Sequence, residues 1–239
     1  MIPLRHTVSL RRKPIVTRAL VIANAIVFLT QLFLGQRTEM LINAFGFIPA
    51  RLVHPAAYGY SMFEVAVTLI TSLFLHGGFV HLMGNMIYLW VFGGAVEDVL
   101  GRVRYILFFI LCGVIGSLTH TMLFPASTVP SIGASGSIAG ILGAFLVLRP
   151  RARVVTLLPL IVYWAMVEIR AVFLLAIWFA MQFFNGFLSI AAAHRTQEVN
   201  GIAWWAHVGG FIFGAVIGAV ARRTAPGRDT IGNPKGVDV

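Results

Sequence analysis

The sequence predicts an all-α, polytopic membrane protein of six transmembrane helices, and three observations carry that expectation. First, 59% of the 239 residues are hydrophobic and only 11% are charged, with a mean hydropathy of +0.89. A soluble domain of this size needs about a quarter of its residues charged to build a polar shell, so a lipid bilayer must cover much of this surface. Second, the charges gather in short clusters between long charge-free runs. Third, the excess charge of +10 is basic and sits at the ends of apolar segments. It is not interleaved with aromatic residues on a polar face, which argues against a nucleic-acid partner and for membrane topology.

The helices follow in order from the charge-free runs. Residues 1–16 form a basic tail with no convincing small-residue cleavage site behind it. Residues 19–36 are long enough to cross a core of roughly 30 Å at about 1.5 Å per residue. A second helix is expected over 78–100. The stretch 105–148 is too long for one crossing, and Pro125 and Pro130 break it into helices over 105–123 and 134–148. Residues 171–187 and 201–221 make the fifth and sixth. Between the fourth and fifth, 154–167 is apolar but short and contains Pro159, and is read as an interfacial or re-entrant piece. The helical domain thus spans 17–222, followed by a flexible tail over 223–239.

Basic residues set the orientation. Arg5, Arg11, Arg12, Lys13 and Arg18 precede the first helix. Arg102 and Arg104 follow the second, Arg149, Arg151 and Arg153 the fourth, and Arg222, Arg223, Arg228 and Lys235 the sixth. The other side holds Arg37, Arg51 and Arg195. The positive-inside rule then places both termini in the cytoplasm, which requires an even number of crossings. The compact chain and this bias suggest a bacterial inner membrane. The single cysteine, Cys112, excludes an internal disulfide.

Polar groups inside a membrane are costly and carry a functional hypothesis by default. Ser135 opens the fourth helix, His207 lies early in the sixth, and His81 and Asn85 share the second. Ser135 precedes Arg149 by 14 residues, His207 precedes Arg222 by 15 and His81 precedes Glu97 by 16. Each therefore lies about 21–24 Å above the inner boundary, roughly 6–9 Å below the outer one. Gly136 and Gly140 on the fourth helix, and Gly210 and Gly214 on the sixth, have the four-residue spacing that permits close helix contact in lipid. Packing those faces would join a hydroxyl to an imidazole, the minimum apparatus for nucleophilic acyl transfer.

Gly133-Ala134-Ser135-Gly136, His207 followed by Gly210 and Gly214, and His81 with Asn85, preceded by His76, resemble the rhomboid family of intramembrane serine proteases. The resemblance covers about residues 15–222 and includes Glu97 and Gly101. It implies a rhomboid-like bundle, a Ser135–His207 dyad without a catalytic aspartate, and an oxyanion site formed by His81 and Asn85. It also implies cleavage of single-pass transmembrane proteins near their extracytoplasmic end, at small residues with helix-destabilising residues nearby, and a fifth helix that gates substrate entry. Some relatives carry a Trp-Arg pair in the first external loop, whereas residues 37–75 here contain no tryptophan.

Plainer readings stand beside these. Ser135 could serve only as a helix cap, and Ser131 and Ser137 are competing nucleophiles. The soluble-hydrolase signature Gly-x-Ser-x-Gly fails because position 137 is serine. His207 could be a mere interhelical hydrogen-bond partner. A metal held by His76, His81 and His207 is disfavoured, because the His76–His81 spacing is five and no glutamate adjoins it. No metal or cofactor is expected. His76 should line the cavity mouth, and His54, His120 and His194 should fall in external or interfacial regions without chemistry. Glu97 and Asp98 should meet Arg102 or Arg104. Phe173, Phe179, Phe183, Phe184 and Phe187 should face lipid or pack. Two other functions compete with a protease: an inactive rhomboid-like protein that binds transmembrane clients, and a small transporter. A transporter should show paired intramembrane charges or inverted repeats, and neither is evident.

Overall fold

The structure, a computed structural model, describes residues 1–159, 164–196 and 202–224. The first long helix, α1 (Ile15–Leu34), begins directly after Pro14, and no side chain of its own flank caps it. Glu97 does so from another helix. One of its carboxylate oxygens accepts from the Val16 N–H at 3.0 Å, and the other from the Thr17 N–H at 2.8 Å and the Thr17 hydroxyl at 2.7 Å. These bonds satisfy two of the helix's orphan donors and place negative charge at its positive end.

Three short helices follow: α2 (Thr38–Phe45), α3 (Pro49–Val53) and α4 (Met62–Thr71). Ser61 and Glu64 close a capping box at the start of α4. This loop holds on without a tryptophan. Phe47 is fully buried and its backbone bridges to Ser131, Ala50 N–H donates to the Ser127 carbonyl at 3.0 Å, and Arg51 stacks over Tyr60 at 4.4 Å.

Helices α5 (Phe79–Leu100) and α6 (Arg102–Leu123) meet at Gly101, which closes one and opens the other with φ at +78°. Only glycine adopts that conformation without strain. Helix α7 (Ser135–Leu148) has 14 residues, about 21 Å of rise, so it cannot cross a core of roughly 30 Å by itself. It is buried from Gly136 to Phe145 and is ringed by α5, α6, α8 (Ala171–Thr196) and α9 (Trp204–Thr224). Its seam with α9 is made by backbone on backbone. A side-chain carbon added at Gly210 would collide with the Gly136 carbonyl, and one at Gly214 with the Gly140 carbonyl. One added at Gly140 would strike Cys112, which is itself fully buried. Among the described residues, α1, α5, α6, α8 and α9 are long and apolar enough to cross a membrane, and the α4 segment and α7 are shorter apolar helices.

The helical bundle carries a small sheet that the sequence reading did not contain. Residues 154–167, expected to lie in the interface or re-enter the membrane, belong instead to β2 (Arg153–Pro159) and β3 (Trp164–Arg170), with 160–163 outside the described residues. These strands pair antiparallel with Arg153 opposite Arg170. The outer strand β1 (Ile2–His6) comes from the stretch read as a tail and pairs with β2, Ile2 opposite Leu157. The β-branched run Val154-Val155-Thr156 suits a strand, and pairing on both sides satisfies its backbone without any need of lipid. His6 packs its ring 5.6 Å from Phe145 at the end of α7.

The two acidic residues closing α5 have other partners than expected. Glu97 caps α1 as described, while Asp98 accepts from the Arg12 N–H at 3.0 Å and lies 3.9 Å from Arg149. Near the same end, Arg222 of α9 donates to the Val147 carbonyl at 3.3 Å. The first strand and the end of the last described helix therefore lie at one end of the bundle. Of the C-terminal tail, 225–239 fall outside the described residues.

Candidate active site

Ser135 is the first residue of α7, and the N-cap position belongs to Ala134, which makes no side-chain cap. Its hydroxyl is thus available to a partner on another helix. His207, in the first turn of α9, places Nε2 2.8 Å from Ser135 Oγ. The close Gly136–Gly210 and Gly140–Gly214 contacts set that distance, since a larger residue in the seam would hold the two helices apart. Of the competing serines, Ser137 is fully buried with no partner for its hydroxyl among the described residues, while Ser131 lines the same cavity as Ser135 and engages Phe47 through its backbone.

The imidazole of His207 is held on several sides. Its Nδ1 lies 2.8 Å from Oε1 of Gln182, a buried residue of α8. Trp178 and Trp204 flank it with ring centroids at 6.1 Å each. Gln182 was not among the residues singled out from sequence.

His81 and Asn85 lie one turn apart on α5 and both line the cavity that Ser135 and His207 enter. Gly133, with φ at +113°, brings the loop before α7 against them. A side-chain carbon there would fall 2.8 Å from the His81 ring and 3.4 Å from Asn85 Nδ2. The Gly133 N–H donates to the Ser72 carbonyl at 2.8 Å, which fixes the loop. His76 does not sit at the cavity mouth. It is 1% exposed and lies behind Asn85, because it falls in the turn before α5 and not on the cavity face of the helix. Its Nδ1 lies 3.2 Å from the Phe74 carbonyl, which can only accept, so Nδ1 carries the hydrogen and Nε2 accepts from Asn85 Nδ2 at 3.0 Å. A side-chain amide of α1 clamps the His76 backbone: Gln31 donates to the His76 carbonyl at 2.9 Å and accepts from its N–H at 3.0 Å.

The cavity measures about 550 Å³ and also takes in Gly136, Trp178, Gln182 and Trp204. A serine hydroxyl, an imidazole and the side chains of His81 and Asn85 therefore converge on one space. His120 lies near the end of α6, with its side chain buried beside Phe124. Of the α8 phenylalanines, Phe179 packs on Phe211 at 4.6 Å, while Phe173, Phe183, Phe184 and Phe187 are exposed.

Residues 64–224 match the family model of the Rhomboid domain. Over 152 residues, 64% of the chain, the sequence is 31% identical to RHOMBOID-like protein 5 of Arabidopsis thaliana, of which it covers 43%. Over 78 residues, 33% of the chain, it is 44% identical to the rhomboid protease GluP of Bacillus subtilis, of which it covers 15%. Over 93 residues, 37% of the chain, it is 36% identical to the mitochondrial Rhomboid protein 1 of Saccharomyces cerevisiae, of which it covers 27%. The matched part of the chain spans less than half the length of each of these relatives.

Proposed function

Because the chain belongs to the rhomboid family, we propose that it is an intramembrane serine endopeptidase in which Ser135 is the nucleophile and His207 the general base. The observation that carries this reading is the 2.8 Å contact between Ser135 Oγ and His207 Nε2 inside the cavity. In the first step the hydroxyl oxygen of Ser135 bonds to the scissile carbonyl carbon while its proton passes to His207 Nε2. Negative charge develops on the carbonyl oxygen, and His81 and Asn85 face the space where it forms. Asn85 gives one amide hydrogen to His76 and keeps the second for that oxygen. As the intermediate collapses, the C–N bond breaks and His207 returns the proton to the leaving amine. Water then attacks the acyl ester with His207 again taking the proton, and Ser135 is released. No step calls on a metal or a cofactor.

The substrates follow from the family resemblance: single-pass membrane proteins, cut near their extracytoplasmic end at small residues with helix-destabilising neighbours. Basic residues at the end of the bundle that carries both described chain ends support a cytoplasmic position for that end, and a bacterial inner membrane is the setting we assign. The test is a fluorophosphonate probe on the purified protein, with the labelled residue mapped by mass spectrometry. Labelling at Ser135, lost together with turnover in Ser135→Ala, is expected. A folded protein that takes no label and cleaves nothing would instead be an inactive member, of which the family has examples. Near-normal turnover in Ser135→Ala would remove the nucleophile from this assignment.

A further inference from the structure

We propose that Gln182 is a positioning residue that fixes the tautomer of His207, so that three side chains from three helices form a Ser135–His207–Gln182 line. This rests on the dyad reading above. Both imidazole nitrogens are engaged at 2.8 Å, Nε2 by Ser135 Oγ and Nδ1 by Gln182 Oε1. An amide oxygen can only accept, so the neutral ring must carry its hydrogen on Nδ1. That leaves the Nε2 lone pair directed at the serine hydroxyl, as a base requires. Were the hydrogen on Nε2, the ring would donate to Ser135 and could not take its proton. Losing the correct tautomer of such a histidine is one of the most damaging changes known for a serine nucleophile.

The surroundings favour an amide for this task. No carboxylate lines the cavity among the described residues; Glu97, Asp98, Glu64 and Glu168 have partners elsewhere. An ionised carboxylate at the Gln182 position would bear a heavy desolvation cost, whereas a neutral amide orients the ring at a lower one. Gln182 is 7% exposed, so an unpaired carbonyl oxygen there would be penalised, and the bond enforces itself. Its placement is set by a stripe on α8. Trp178, Gln182 and Gly186 recur every four residues on one face. Trp178 flanks His207 and the Gly186 carbonyl accepts from Trp205 Nε1 of α9 at 3.0 Å. The same stripe that docks α8 on α9 therefore aims the amide at the imidazole.

The test is ¹⁵N NMR of histidine-labelled full-length protein in detergent, with the His207 signals assigned by their absence in His207→Gln. The wild type is expected to carry its proton on Nδ1 and an unprotonated Nε2. Gln182→Leu should mix the tautomers and lower kcat about 10- to 100-fold with KM little changed. Gln182→Glu can accept the same N–H and should keep the wild-type tautomer, with turnover falling less than in Gln182→Leu. A wild-type ring protonated on Nε2 overturns the proposal, and this outcome needs no variant to fold. So does Gln182→Leu with tautomer and kcat unchanged, or an equal loss in both variants with the tautomer unaltered, which would assign Gln182 to packing. Failure of the dyad reading has a separate signature, namely turnover that survives Ser135→Ala.

Discussion

Asn85 and His81 are the residues at which a catalytic and a packing role predict different measurements. A donor fixed in advance against developing charge typically contributes about 10²–10³ in rate, whereas an interhelical hydrogen bond in lipid contributes about 1–2 kcal/mol at most. Asn85→Ala should therefore lower kcat strongly with a smaller effect on KM and little change in melting temperature. His81→Ala should follow it, softened where water replaces the ring. A large fall in melting temperature with turnover per folded molecule unchanged would assign both to structure. Ser135, His207, His81 and Asn85 are legible because a hydroxyl and two imidazoles at one depth, with an amide one turn from His81, are conspicuous in apolar sequence. Gln182 and Gln31 obey the same rule but are less conspicuous, since an amide neither attacks nor takes protons. A glutamine within an apolar span faces the same cost and needs a partner equally. Here one finds the base and the other finds the histidine behind Asn85.

At the scale of elements, the bundle is tied together by contacts that join distant parts of the sequence. Glu97→Gln would turn an amide NH₂ group toward at least one of the donors it now satisfies at the start of α1. A loss of about 1–3 kcal/mol is expected, read as a lower melting temperature with turnover per folded molecule preserved; equal melting temperatures would show that water caps α1 as well. The sheet supplies a pH-dependent element. Burial pushes the His6 imidazole below its ordinary value of about 6.5 and the Arg149 charge adds to this, while backbone hydrogen bonds at His6 and Val8 oppose it. The unfolded chain then binds the extra proton, so stability is full above 6.5 and is lost as pH falls below it. His6→Phe should flatten the fall of melting temperature with acid, and parallel slopes for the two proteins would exclude His6 as its source. Helix ends were readable to within a few residues in most cases because proline and glycine mark them. The outer strand was not, because β1 declares itself only beside β2, some 150 residues later in the chain. The partners of Glu97 and Asp98 were missed for the same reason: neighbours in sequence looked sufficient, and the fold brought others.

For the molecule as a whole, the membrane class follows from composition alone and needs no pairing information, which is why it was the most secure part of the sequence reading. Orientation rests on the basic residues around the end shared by β1 and the end of α9. Reporter tags on both termini should report from the cytoplasm, and a tag inserted within 124–131 from the opposite side. Termini on opposite sides would remove the common depth of Ser135, His207 and His81 from which the site was first read. The short α7 matters at this scale too. A helix of 14 residues enclosed by longer ones cannot cross a core of roughly 30 Å by itself, and the cavity lies at its first residue.

Cys112 is the one thiol in the chain and it is wholly enclosed between α6 and α7, against Gly140. Water-soluble maleimides and methanethiosulfonates cannot reach it while the protein is folded, so the native molecule is chemically blank to them. Cysteines introduced in pairs on the exposed faces of α5 and α8 could carry spin labels without deleting Cys112 and disturbing the seam it helps fill. Distances measured between such pairs, with and without a bound inhibitor, would report whether α8 shifts against α5.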